Sequence, residues 1–213
     1  NYKIFLIRRW YRTIPLYVLS LLLTSVILSN LLTMDFLKYL FFLQNFFILS
    51  VENDFFSIAW SLSVEEWFYI IFPLFLLLLF KKFNFKTIKY ISYLAYLFVI
   101  LILVFRLFFL DNTNWGSDIR RVVIFRLDSI AFGFILYLFK DFFINKIFNN
   151  LLILLLIILT TFLTFFILKT NALEQIFFYQ FIFHYVVGIW GSLIIIFCYK
   201  INKNLENKKF INF

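Results

Sequence analysis

LLILLLIILTTFLTFFIL, residues Leu151–Leu168, runs for eighteen positions without a charged residue, a Gly or a Pro. As a helix rising 1.5 Å per residue it covers roughly 27 Å, close to the ~30 Å hydrocarbon core of a bilayer. It is apolar on every side, which suits lipid and not the half-wet surface of a globular domain. Five further runs read the same way, at about Ile14–Leu32, Ile58–Phe80, Ile88–Leu110, Val122–Phe139 and Ile176–Tyr199. The composition agrees: 64% of the 213 residues are apolar and the mean hydropathy is +0.98, where a soluble chain is about 45–50% apolar. With four Gly and two Pro among 35 Phe, little punctuation exists for an all-β fold. Helices satisfy their own backbone hydrogen bonds in lipid, so the expected fold is all-α, a polytopic bundle of about six spans forming one membrane domain over residues 1–213.

The net charge of +9 does not point to nucleic acid, because the basic residues sit in short clusters between apolar runs, as topology determinants do. Phe36–Ser50 is shorter than a span and contains Gln44 and Asn45, so it reads as interfacial or re-entrant. With that segment not crossing, fourteen basic residues fall on one side and four on the other. The positive-inside rule then places both ends of the chain in the cytoplasm. The lone Cys198 supports neither a disulfide nor a metal cluster. The chain opens on Asn1 rather than Met, and is expected to be an internal piece of a longer protein.

Charge inside a span costs at least about 2.5–3.5 kcal/mol and calls for a reason. Glu65, Glu66, Arg106, Arg126, Asp128 and His184 are the cases. Counted along their helices, all fall in the outer half of the bilayer, which suggests a polar cavity open to the outside. Two carboxylates with nearby arginines make either a structural ion-pair network or an acid/base pair with an electrostatic clamp. Arg106 either snorkels to the outer interface or joins that cluster. His184 reads as a packing histidine, and Arg120 and Arg121 as boundary residues. Arg121 and Asp128, seven apart, share a face, and Arg126 shares its face with Gly133, where a second helix has room to approach. On the cytoplasmic side, Arg8-Arg9-Trp10-Tyr11-Arg12 reads first as a membrane anchor, with Pro15 in the first turn of the span. Arg8 and Arg12, four apart, also form a pair of guanidiniums suited to phosphate.

Three segments together resemble a known family. Phe5-Leu6-Ile7-Arg8-Arg9-Trp10-Tyr11-Arg12-Thr13-Ile14-Pro15-Leu16-Tyr17 resembles the arginine motif of the acyltransferase 3 family of membrane acyltransferases. Trp60-Ser61-Leu62-Ser63-Val64-Glu65-Glu66-Trp67-Phe68-Tyr69, with Pro73 after it, is similar to that family's most recognisable signature. Arg126-Leu127-Asp128-Ser129-Ile130-Ala131-Phe132-Gly133 resembles a third segment, and Phe42-Leu43-Gln44-Asn45-Phe46-Phe47 also fits in its place.

The resemblance implies a roughly ten-helix bundle in the bacterial cell membrane. It would carry an acyl group, usually acetyl, from cytoplasmic acyl-coenzyme A to a hydroxyl on an extracytoplasmic glycan or polysaccharide, with no metal. By position, Arg8, Arg9 and Arg12 would meet the donor. Glu65 or Glu66 would serve at the reaction centre, and Arg126 and Asp128 would shape it. The family carries two helices before the arginine motif, the first with a histidine regarded as catalytic, and a last helix beyond the segment around Lys208. The chain is therefore expected to lack these three helices and to be inactive alone. The competing reading is a transporter or exporter without chemistry, since intramembrane charges also mark substrate paths.

Overall fold

A computed structural model of the chain describes residues 2–47, 51, 53–83, 88–109, 119–139, 150–170 and 177–211. Within them the chain is helical and holds no strand. The α-helices are α1 (Tyr2–Ile27), α2 (Met34–Leu40), α3 (Trp60–Phe83), α4 (Ile88–Phe109), α5 (Leu127–Leu138), α6 (Asn150–Lys169) and α7 (Phe177–Ile211). Five of these regions are long and apolar enough to cross a membrane: 2–27, 57–82, 90–108, 150–169 and 183–202. Their large apolar side chains stand exposed along whole helices, as Leu151, Leu155, Leu159 and Phe162 do on α6. That is a surface made for lipid.

Two expectations about the spans are revised. The first helix begins at Tyr2, not near Ile14, so Arg8, Arg9 and Arg12 lie within α1 and Pro15 sits in its interior. The expected span at Val122–Phe139 carries a short 3-10 turn, Ile124–Arg126, and a twelve-residue α5. End to end these cover only about 24 Å. Residues 140–149, which follow, lie outside the described residues.

Contacts divide the chain into two compact units, Asn1–Asp128 and Ser129–Phe213. In the first, α1 and α3 run antiparallel: Tyr2 reaches Tyr69 and Ile70, while Arg9 and Thr13 reach Glu65 and Glu66. Pro73 explains the first of these contacts. It has no N–H to give the carbonyl four residues before it, and that carbonyl, Tyr69 O, accepts from the Tyr2 hydroxyl at 3.2 Å. On the next face of α3, Phe68 and Phe72 stack at 4.8 Å, and Phe72 meets Phe98 of α4 edge-on at 5.1 Å. The buried stripe of α4, Leu94, Phe98, Ile102 and Arg106, steps by four residues, as one helix face must.

Beyond the N-terminal end of α3, α1 continues and packs instead on α2. Tyr17 and Leu21 bury against Phe36, Tyr39 and Ala59. Thr33 precedes α2, and its hydroxyl caps the helix by accepting from the Phe36 N–H at 3.2 Å. The Tyr39 hydroxyl donates to Asp54 at 2.6 Å, and Asp54 in turn accepts from Arg121 at 2.6 Å. Burial, and then Asp54, push the Tyr39 phenol above its ordinary range. The segment expected to be interfacial is indeed no span: a seven-residue helix is followed by turns, its last residues, 48–50, lying outside the described set.

In the second unit, α6 and α7 pack through Ile153, Leu193 and Ile196, with Leu136 of α5 against them. Trp190 donates to the Thr161 hydroxyl at 3.0 Å. Phe132 meets the Tyr185 ring edge-on, and a Cβ added at Gly188 would stand 3.0 Å from the Phe132 ring. Gly133, the expected point of close approach, has open space at its Cβ. The side chain that needs room is its neighbour's, and Gly188 supplies it.

Candidate active site

Two clusters in the first unit contain the residues singled out from the sequence, His184 excepted. The first lies on the seam between α1 and α3. Glu66 is almost fully buried and accepts from Trp10 Nε1 at 3.0 Å and from the Thr13 hydroxyl at 3.3 Å. Arg9 Nε lies 3.3 Å from Glu66, and Arg9 Nη2 donates to Glu65 at 2.8 Å. The Arg9 guanidinium also covers the Tyr69 ring, 3.7 Å from its centre, a cation–π stack that holds the fork flat while its edge serves the carboxylates. The Arg9 side chain is 10% exposed and that of Glu65 46%. The two acids therefore differ: Glu66 is enclosed and Glu65 is open.

Periodicity accounts for the seam. On α1, Arg9 and Thr13 are four apart and Trp10 adjoins Arg9, so all three share one side of the helix. Glu65 and Glu66, adjacent on α3, bracket that side. Beside them is a pocket of about 230 Å³ lined by Phe5, Arg8, Arg9, Arg12 and Tyr69. Arg8 and Arg12 are exposed and carry no ion pair among the described residues. A pocket with two exposed guanidiniums one turn apart suits an anionic group, which planar forks bind bidentately.

This geometry corrects the expected separation of arginines inside from carboxylates outside. Because α1 starts at Tyr2, its arginines are drawn along α3 to the level of Glu65 and Glu66. The attraction between an arginine and two acids offsets part of the desolvation cost that each buried charge carries.

The second cluster surrounds the start of α5. Asp128 is fully buried and accepts from Arg106 at 2.8 Å, and Arg106, itself fully buried, also donates to the Phe125 carbonyl. Arg106 does not snorkel; it forms a buried ion pair with Asp128. Arg126 instead lies over the Trp60 indole at 6.0 Å, with Arg120 at 5.9 Å from the same ring. Arg121, expected on the face of Asp128, pairs with Asp54. Trp60 and Glu66, six residues apart on α3, point roughly 120° apart, so the two clusters occupy different sides of that helix. A single outward cavity holding all the intramembrane charges is therefore not what the first unit builds. His184, buried on α7, belongs to the second unit.

Between them runs Phe42–Phe47, the segment that ties the second cluster to α3. Asn45 donates to the Arg121 carbonyl and its own carbonyl accepts from Val123 N–H at 2.8 Å. Gln44 donates to the Ser63 hydroxyl, and Trp67 Nε1 donates to the Phe42 carbonyl at 2.9 Å. Phe42 adopts φ 58°, unusual for a bulky residue; the Trp67 bond and stacking on Tyr17 at 4.7 Å hold it there. The sequence reading missed Trp10, Thr13 and Tyr69 as partners. One signal was available: the spacing of Arg9 and Thr13.

Arginine motif, carboxylate signature and Gln-Asn segment thus meet in one ordered assembly, and the family model described as an acyltransferase domain, acyltransferase 3, matches residues 1–213. The chain belongs to the acyltransferase 3 family. Its activity, in general terms, is that of a membrane acyltransferase, and the transmembrane helices are those of this acyltransferase. Comparison with curated proteins and with solved structures finds no match.

Proposed function

We propose that this acyltransferase moves an acyl group, acetyl in the simplest case, from cytoplasmic acyl-coenzyme A to a hydroxyl of an extracytoplasmic glycan or cell-surface polysaccharide in the bacterial cell membrane. The observation that carries the reading is the arginine-lined pocket standing directly beside Glu65 and Glu66. Acyl transfer from a thioester needs an anion site for the donor, a base for the attacking hydroxyl and positive charge for the oxyanion. Arg8 and Arg12, exposed and lining that pocket, suit the first need. Glu65, exposed and held at one oxygen, suits the second: it would take the hydroxyl proton as the new C–O bond forms and the C–S bond breaks. The proton then passes to the departing thiolate. Guanidinium groups of the same pocket suit the third. Arg126 and Asp128 would shape the acceptor side, Arg126 with its guanidinium over Trp60 and Asp128 through its bond to Arg106.

The test uses full-length protein in cells. At unchanged protein level, Glu65→Gln should abolish acetylation of the surface glycan and Arg12→Gln should lower it, both at exposed side chains; Glu66→Gln should also abolish it. Unchanged acetylation in Glu65→Gln and Arg12→Gln overturns the reading. Substrate flux into liposomes without any acyl donor would favour a transporter instead.

A further inference from the structure

We infer that Arg9 is a positioning residue that locks Glu65 and Glu66 in place, leaving Arg8 and Arg12 to bind the donor's anionic groups. The inference rests on the donor-pocket reading for Arg8 and Arg12, while the lock itself stands on Arg9's own contacts. Three adjacent arginines look interchangeable in the sequence, but their surroundings are not. The Arg9 side chain is only 10% exposed, and its edge is taken by Glu65 at 2.8 Å and Glu66 at 3.3 Å. One face of its guanidinium lies on Tyr69. Arg9 and the two glutamates together carry a net charge of −1, so this trio repels a phosphate rather than inviting one. Drawing Arg9 away to a ligand would leave Glu66, with its side chain 3% exposed, to the neutral donors Trp10 and Thr13 alone. A buried carboxylate stripped of its cation is strongly disfavoured. Arg8 and Arg12 face no such cost: they are exposed, four residues apart on one helix face, and line the same pocket.

The lock has a mechanistic use. Its bond to Glu65 fixes the open carboxylate at the pocket edge, and its contact with Glu66 fixes α1 against α3. Arg9 therefore acts on the reaction through the carboxylates, and its loss should appear in turnover rather than in donor affinity.

The experiment uses full-length protein purified in detergent, with coenzyme A as the binding probe and acetyl-coenzyme A as the donor. Arg8→Gln and Arg12→Gln should each weaken coenzyme A binding and raise the donor KM about tenfold, the size of one charge-assisted bond. Arg9→Gln should leave both within about twofold, yet lower kcat at least about tenfold. Arg9→Gln combined with Glu66→Gln should recover thermal stability lost in either single variant, as expected of a directly coupled pair. Coenzyme A binding lost in Arg9→Gln as fully as in Arg8→Gln would overturn the inference, as would strictly additive stability losses. If the unmodified protein bound no coenzyme A, the donor reading would fall, and the stability cycle would still decide whether Arg9 locks the carboxylates.

Discussion

Arg106 shows how much a single side chain can depend on its helix face. It sits four residues after Ile102, eight after Phe98 and twelve after Leu94, all buried, and it is buried with them. Its bond to Asp128 is made where neither group meets solvent. Removing one partner of such a pair leaves an uncompensated buried charge and costs about 3–5 kcal/mol. Arg106→Met should therefore lower the unfolding free energy of the detergent-solubilised protein by that order, and adding Asp128→Leu to it should restore most of the loss. Equal losses in the single and double variants would mean that the pair is not the stabilising unit. The stripe was readable in the sequence, because its spacing of four is plain. Its partner was not, since Arg121 and Arg126 are both nearer to Asp128 along the chain, and only folding brings Arg106 within 2.8 Å.

At the scale of elements, glycine positions decide which helices approach. Close approach falls not at Gly133, which has open space at its Cβ, but at the neighbouring Phe132. That ring stands against Gly188 of α7, where an added Cβ comes within 3.0 Å, and Tyr185 braces it edge-on. Gly188→Ala should cost about 1–3 kcal/mol by overpacking. Gly191→Ala and Gly133→Ala meet nothing within 4 Å and should be neutral or stabilising by up to about 1 kcal/mol from helix propensity. Thermal unfolding of the three variants side by side checks the ordering. The boundaries of α1 belong to this scale too. Basic residues usually flank a span, and an apolar count therefore opened the helix after Arg12. In the folded chain, Glu65 and Glu66 neutralise Arg9 and the helix extends back to Tyr2.

At the scale of the whole molecule, charge governs how the helices thread the bilayer. Charge counting expects Lys38 and Lys169 on the outer side and Lys82 and Lys200 on the inner side. With Cys198, which is exposed, first replaced by Ser, single cysteines at these four positions can be labelled with an impermeant maleimide on intact cells. Positions 38 and 169 should label at once, and 82 and 200 only after permeabilisation. Positions 169 and 200 are the informative ones, because the side of each depends on whether the short helix around Leu127–Leu138 completes a crossing. By itself the sequence determined that the chain is a helical membrane protein and, through ordered motifs, its family. Those properties follow from the solvent: lipid demands long apolar runs and internally bonded backbone, and both are written residue by residue. Only the tertiary structure decided that Arg9 meets both glutamates, that Arg106 rather than Arg126 pairs with Asp128, and that the intramembrane charges of the first unit form two clusters. Such pairings join residues twenty to nearly sixty positions apart. They are chosen by which arrangement leaves the fewest buried charges without a partner, a balance struck across the packed fold rather than along the chain.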